Sequence, residues 1–324
     1  MVCIQMQKKL VTCIILLLVF GDIFSQNANY SSLPMFDLMY YNPGYAGDGN
    51  EIEAKGLFRE QWMKFPGRPR IQTFSFDAPF KLFNHQHGAG LTFLLDNIGN
   101  FSNTYVNLSY AYRRSLAQGD LGIGASLNML SHKFESDWRA TGDVAGDVSI
   151  PQNKDDRPFA LDVNLGVFYR ADNLYLSVST MNVMQSRIKY TNSTNNETAS
   201  STETFIGRQF FISTGYDYQL ANPMFSVQPS AFIASDISST QFSLSGILTY
   251  NQRFFGGLGY KKNDAVIVIA GIDLPSGIEV AVSYDVNTSR IIKSSAGSFE
   301  FMVGYSFSLD IDKDSRKFKS VRFL

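Results

Sequence analysis

Along much of this chain, apolar and polar residues alternate one for one. In Phe159, Leu161, Val163, Leu165, Val167 and Tyr169 one face is wholly apolar, while Ala160, Asp162, Asn164 and Gly166 make the other small and polar. A helix would scatter these residues around its circumference, whereas a strand sorts them onto two faces. The pattern recurs in Leu121, Ile123, Ala125, Leu127 and Met129 against Gly122, Gly124, Ser126 and Asn128, in Ile278, Val280, Val282, Tyr284 and Val286, and in Phe299, Phe301, Val303, Tyr305, Phe307 and Leu309. Such segments predict about fourteen strands, near 52–60, 70–77, 88–97, 103–115, 119–132, 158–169, 174–182, 208–219, 225–236, 241–250, 254–260, 265–273, 278–287 and 298–309. Many are about ten residues, the length a tilted strand needs to cross a bilayer. No helical pattern interrupts them, so the fold class is all-β, a transmembrane antiparallel β-barrel of about fourteen strands with an N-terminal plug-like segment.

Loop lengths test this independently. In an outer-membrane barrel with both termini in the periplasm, odd-numbered connections face outward and run long, while even-numbered ones are tight turns. The two longest gaps, 133–157 and 183–207, are odd; 115–119, 170–173, 219–224, 251–253 and 274–277 are short, and all are even. The exception is the second connection, 78–87, which is longer than a tight turn. Aromatic residues gather toward strand ends, as in Tyr110 and Tyr112, Tyr216 and Tyr218, Tyr250 with Phe254 and Phe255, and Tyr305 with Phe307. Interfacial girdles would place them there, although buried core aromatics would also be numerous.

The N-terminus supplies the compartment. Lys8 and Lys9 precede an apolar run from Leu10 to Phe20, and polarity returns by Ser25–Asn29, the pattern of a secretory signal peptide cleaved after Ser25. The expected organisation is a signal peptide (1–25), an N-terminal periplasmic or plug segment (26–50), an outer-membrane barrel (51–309) and a C-terminal periplasmic tail (310–324). The protein is then integral to the outer membrane with both termini periplasmic. Cys3 and Cys13 are the only cysteines, so the mature chain would have none, which excludes thiol catalysis and cysteine metal sites. With 28 basic and 29 acidic residues the charge is nearly balanced, so a nucleic-acid partner is not expected.

Asn42, Pro43, Gly44, Tyr45, Ala46 and Gly47 form a run with its own logic. Pro43 fixes φ and removes a donor, while Gly44 and Gly47 allow positive φ, so the run is a compact turn. The preceding Leu33, Met35, Phe36, Leu38, Tyr40 and Tyr41 cannot stay solvated at little cost, and pack inside the barrel or under its periplasmic mouth; the other reading is an aromatic linker. On the first outer loop, Phe65, Pro66 and Gly67 are a good β-turn by their own chemistry, and with Trp62 they also offer an apolar grip to a secreted partner. Trp138, in the 133–157 connection among several aspartates, is a further partner candidate, on a loop that could bind protein, a cation or nothing.

An enzyme is not expected. Of three histidines, His85 and His87 fall in the second connection, where a solvated polar loop is favoured over a zinc pair lacking a third ligand. Ser131 and His132 are adjacent on a strand and point to opposite faces, so they cannot act as a dyad. No metal or cofactor is called for.

Taken in order, Asn42–Gly47 after Phe36, Tyr40 and Tyr41, then Arg59, Gln61-Trp62, Phe65-Pro66-Gly67-Arg68-Pro69, Ser75-Phe76-Asp77-Ala78-Pro79, Gly88-Ala89-Gly90 and Asp96-Asn97-Ile98-Gly99 resemble the PorP/SprF family of type IX secretion and gliding proteins from Bacteroidota. Met63-Lys64 departs from the family pattern, where Pro and Gly are expected after the tryptophan. The resemblance implies a non-catalytic barrel that anchors an exported adhesin-like protein by its C-terminal domain at the cell surface. It also implies a link to a periplasmic peptidoglycan-binding lipoprotein; outer-membrane lipid surrounds the barrel. The runner-up is a porin-like channel for small solutes.

Overall fold

The computed structural model describes residues 30–49, 51–134, 157–192 and 200–308. Its strands are β1 (Glu51–Glu60), β2 (Arg70–Leu82), β3 (His85–Ile98), β4 (Phe101–Leu116), β5 (Gly119–Phe134), β6 (Phe159–Ala171), β7 (Leu174–Met181), β8 (Arg187–Asn192), β9 (Ser200–Phe205), β10 (Gln209–Tyr216), β11 (Tyr218–Gln219), β12 (Phe225–Ser235), β13 (Thr240–Tyr250), β14 (Phe254–Lys261), β15 (Ala265–Asp273), β16 (Ile278–Asn287) and β17 (Ser298–Ser308). One helical turn, α1 (Leu38–Tyr41), precedes them. Neighbours in sequence pair antiparallel, β1 pairs with β17, and β10 bridges β7 and β12, so the sheet closes on itself. β11 continues β10 past Asp217 and pairs Tyr218 with Val227, leaving fourteen staves in a closed barrel. β8 and β9 form a separate hairpin within the connection read as a long loop.

The alternation does what it predicts. On β5, Gly122, Gly124, Ser126 and Asn128 are buried, while Ile123, Ala125 and Leu127 are exposed; on β6, Asp162, Asn164 and Gly166 are buried beneath exposed Leu161, Leu165 and Val167. The exposed apolar set continues around the wall through Phe74, Phe93, Leu108, Val178, Ile212, Leu258, Val268 and Val303. A contiguous outward band of this size belongs in a bilayer and not in water. Tyr110, Tyr216, Tyr218, Tyr250, Phe254 and Tyr305 are exposed at one end of it, as an interfacial girdle requires. Phe255 differs: it points inward and stacks on Phe36 at 5.3 Å.

Because strands alternate in direction, connections 61–69, 99–100, 236–239, 262–264 and 288–297, with the long ones after β5 and β7, lie at one end, here the loop rim. Turns 83–84, 117–118, 172–173, 220–224, 251–253 and 274–277 lie at the other, the turn rim. The second connection is no exception after all. β2 runs on to Leu82 and β3 starts at His85, so only Phe83 and Asn84 turn, at φ of 50° and 61°, the left-handed pair that a two-residue hairpin demands. His85 and His87 therefore lie on a strand and not in a solvated loop. Loop-rim connections are not all long either, since 99–100 is as tight as any turn.

Residues 30–49 fill the interior. Leu33 packs with Leu57, Ile247, Ile267, Ile269 and Met302; Leu38, Met39 and Tyr45 pack with Ala111, Phe168 and Tyr175; Tyr30 and Tyr41 pack with Met181, Phe211 and Phe232. A segment that touches both flanks of a closed sheet through its inward residues lies in the lumen. Each fully buried large apolar side chain contributes about 1.5–3 kcal/mol, which is why this aromatic run has left solvent.

Candidate functional site

The Asn42–Gly47 run and the wall beneath it are shaped to each other. Asp37 caps α1, accepting from Tyr40 N–H at 3.3 Å and from the Ser75 hydroxyl at 2.8 Å. Asn42 Oδ1 accepts from Gly44 N–H at 2.8 Å, which closes the turn, while its Nδ2 donates to Val167 O at 2.9 Å and Ser177 Oγ at 2.8 Å. Pro43 opens a 3-10 turn through Tyr45, and Gly47, at φ 66°, donates to Asp77 Oδ2 at 2.8 Å. Asp48 then binds both Arg113 and Arg170, and Arg113 Nη1 also donates to the carbonyls of Gly44, Tyr45 and Ala46 at 3.2–3.3 Å.

The wall meets this backbone with glycine. A Cβ on Gly44 would come within 2.9 Å of both Gly122 O and Gly166 O. One on Gly88, Gly122, Gly124 or Gly166 would in turn overlap Ala46, Gly44, Pro43 or Asn42 respectively. The small face of β3, β5 and β6 is thus a seat for a backbone, and any side chain there would lift the turn off.

At the loop rim the same segment is held by charge. Arg59 donates to Asp285 Oδ2 and Glu300 Oε2, each at 2.8 Å, and to Ser32 Oγ at 2.7 Å. Lys261 Nζ donates to Ser32 Oγ at 2.8 Å and Tyr30 O at 3.1 Å. Ser31 Oγ donates to Glu300, Ser32 N–H to Glu300 Oε2 at 2.9 Å, and Ser32 Oγ to Asp285 Oδ2 at 2.7 Å. Two cations and two carboxylates cancel, the condition under which buried charge is tolerated, and the serines satisfy much of what remains, while Arg59 Nε and Asp285 Oδ1 are buried with no hydrogen-bond partner among the described residues. Asp285, Glu300 and Lys261 escape sequence reasoning because the apolar face of each strand draws the eye. The available signal is a charge on an inward strand face, clearest for Asp285, which follows Ala281 and Ser283 on the small face of β16.

Above, the first outer loop is pinned. Trp62 and Phe65 meet edge to face at 6.4 Å, half-buried; Met63 exchanges backbone hydrogen bonds with Gly297 and Ala296, and Gly99 N–H donates to Gly67 O at 3.0 Å. Pro66 and Gly67 are the exposed members of the set, and Trp138 lies outside the described residues. The β8–β9 hairpin folds Ile188 and Ile206 onto inward Leu130 and Ala160, partly roofing the lumen. Asp162 holds its base by accepting from the N–H groups of Met184 and Ser186 at 2.9 and 2.8 Å. On the hairpin, hydrogen bonds from Lys189 and Arg187 hold the Glu203 carboxyl below its usual pKa. At the opposite end, His87 stacks on Phe80 at 5.4 Å and shares a 2.7 Å hydrogen bond with the Tyr110 hydroxyl, while His85 meets the Tyr112 hydroxyl at 3.4 Å. The His-x-His pair is engaged by the aromatic girdle.

The chain is similar to several solved structures. They include the Ralstonia pickettii toluene transporter TbuX (12% identity, 90% of this chain and 98% of that chain, TM-score 0.45). The Acinetobacter baumannii outer membrane protein Omp33 is another (8% identity, 81% and 100%, TM-score 0.44), as is the CymD monoaromatic hydrocarbon channel (10% identity, 90% and 95%, TM-score 0.49). No curated protein matches it. A family model described as type IX secretion system membrane protein PorP/SprF matches residues 23–305, and the chain belongs to that family, as an integral outer-membrane β-barrel of type IX secretion.

Proposed function

We propose that this barrel docks cargo and does not conduct solute. It retains an exported adhesin-like protein at the loop rim, on the cell surface, through that protein's C-terminal domain. Beneath, at the turn rim, it is linked to a periplasmic peptidoglycan-binding lipoprotein, and it carries out no covalent chemistry. The observation that carries this reading is the occupied lumen. Beside the internal segment, cavities near Ser31 and near Tyr40 amount to about 10 and 20 Å³, room for about one water each. A porin-like channel needs a continuous aqueous path, and the packing beside the segment opposes one. The loop rim, by contrast, offers apolar contact points in exposed Pro66 beside the pinned Trp62–Phe65 pair, in Ile292 on the connection bonded to that loop, and in Met184 and Phe205 on the connection after β7.

The test is an affinity pull-down of the tagged barrel from detergent-solubilised outer membranes, paired with planar-bilayer recording of the purified protein. Recovery of a large exported protein through its C-terminal region, with a silent bilayer, is the expected result. A barrel that comes out alone and conducts would replace this reading with the porin-like channel.

A further inference from the structure

We infer that the loop-rim connections 61–69, 262–264 and 288–297 form one rigid cationic platform that takes an acidic polypeptide segment carrying an apolar side chain. This rests on the docking role proposed above, and it names the chemistry of the part of the cargo that touches the barrel.

Backbone hydrogen bonds join these connections over the strands between them. Thr288 N–H donates to Asp264 O at 2.8 Å, Met63 N–H to Gly297 O and Ala296 N–H to Met63 O at 2.8 Å each, and Gly99 N–H to Gly67 O at 3.0 Å. The surface therefore runs unbroken from the β14–β15 turn to the β3–β4 turn. Its backbone is already fixed, so little ordering is left for binding to do. Connection 236–239, by contrast, closes on itself, Asp236 N–H donating to Ser239 O at 3.2 Å.

The chain as a whole is nearly neutral, with 28 basic residues against 29 acidic, but this face is not. With the flanking strand ends it carries six cations, Lys64, Arg68, Arg70, Lys262, Arg290 and Lys293, against two carboxylates, Glu60 and Asp264. Glu60 is shared by Arg68 and Arg70. Lys64, Lys262, Arg290 and Lys293 have no ion pair or side-chain hydrogen bond among the described residues. Uncancelled charge of one sign on a fixed surface draws in and orients an opposite charge.

The same face has an apolar element. Ile292 is 54% exposed between Arg290 and Lys293 on a single 3-10 turn, and exposed Pro66 lies beside half-buried Trp62 and Phe65. An acidic segment with an apolar residue satisfies both features at once. A lipid phosphate is the other anion at this height. On the outward wall, however, the cation at the strand end is Arg70, which faces Glu60 across the β1–β2 ladder at 3.5 Å. The free cations lie beyond the strand ends, on the connections themselves.

Photo-cross-linking in the full-length protein tests this. Ile292 is replaced by p-benzoylphenylalanine, and Ile237, 71% exposed on the separate connection 236–239, serves as the comparison. Cells are irradiated, the tagged barrel is purified, and cross-linked peptides are sequenced by mass spectrometry. Position 292 should trap a stretch of an exported protein rich in Asp and Glu, and position 237 should not. Lys64→Glu with Arg290→Glu and Lys293→Glu should lower that yield about tenfold. Irradiating the solubilised parent complex in high salt should do the same, and it requires no variant to fold. A trapped stretch without acidic residues, equal trapping at 237, a yield unmoved by charge reversal and salt, or lipopolysaccharide on the cross-linker would each overturn the platform. Cargo that co-purifies but never cross-links at 292 would overturn it too, leaving the docking role intact. A barrel that comes out with no exported protein would instead remove the docking role itself, and the platform with it.

Discussion

Gly124 shows how little space the internal segment leaves. A Cβ there would overlap the Pro43 carbonyl group, whereas one on Gly246, an equally central strand glycine of β13, meets nothing within 4 Å. Gly124→Ala should therefore destabilise the barrel by about 1–3 kcal/mol through overpacking. Gly246→Ala should stay within about 0.5 kcal/mol. Urea unfolding in detergent distinguishes them, and equal midpoints would show that the seat does not bind the turn tightly. The same scale explains what was legible. Pro43 with Gly44 and Gly47 announces a turn from composition alone. That its receptor is Gly88, Gly122, Gly124 and Gly166 was not readable, because a glycine on the small face of a strand looks the same whether it faces water or a backbone. The charged cluster around Arg59 is similar: its residues are separated by as many as 241 positions in the chain and become neighbours only when the sheet closes.

At the scale of elements, period-two alternation placed all fourteen staves, since a wall with lipid on one side and packed polar groups on the other imposes that period on every strand. It failed where local geometry decides. The β2–β3 turn is carried by Phe83, an aromatic residue at positive φ that gives no composition signal for a hairpin. The β8–β9 hairpin, rich in Ser, Thr and Asn, reads as loop because its ordering comes from below. Asp162 accepts from the N–H groups of Val163, Met184 and Ser186, and Ile188 and Ile206 rest on Leu130 and Ala160. Asp162→Ala leaves these donors without their acceptor, at a local cost of about 1–3 kcal/mol. Limited proteolysis between residues 183 and 207 should then accelerate about tenfold, while the wall remains resistant. Unchanged cleavage would mean that the two isoleucines alone hold the hairpin.

For the molecule as a whole, the decisive property is that residues 30–49 pack inside the chain's own barrel. Removing residues 30–49 deletes the contents of the lumen and exposes inward Arg59, Lys261, Asp285, Glu300 and Arg113 to solvent, a lining polar enough for ions. The shortened barrel should conduct in planar bilayers where the intact one is silent. If the deletion folds, shown by heat-modifiable mobility on gels, and still does not conduct, something other than this segment closes the pore.

The alternation of the sequence determined by itself that this is an all-β membrane barrel, about how many strands it has and which face of each meets lipid, because those properties depend on residues two apart. Its turn chemistry and aromatic lead also marked the N-terminal segment as one that would be compact and buried. Only the tertiary structure decided where that segment lies and in which direction it runs. It also decided which charges cancel and how the lumen is filled, because each of these depends on bringing β1, β14, β16 and β17 round to one another. A closed sheet makes neighbours of its first and last strands, and no local pattern in a chain records that meeting.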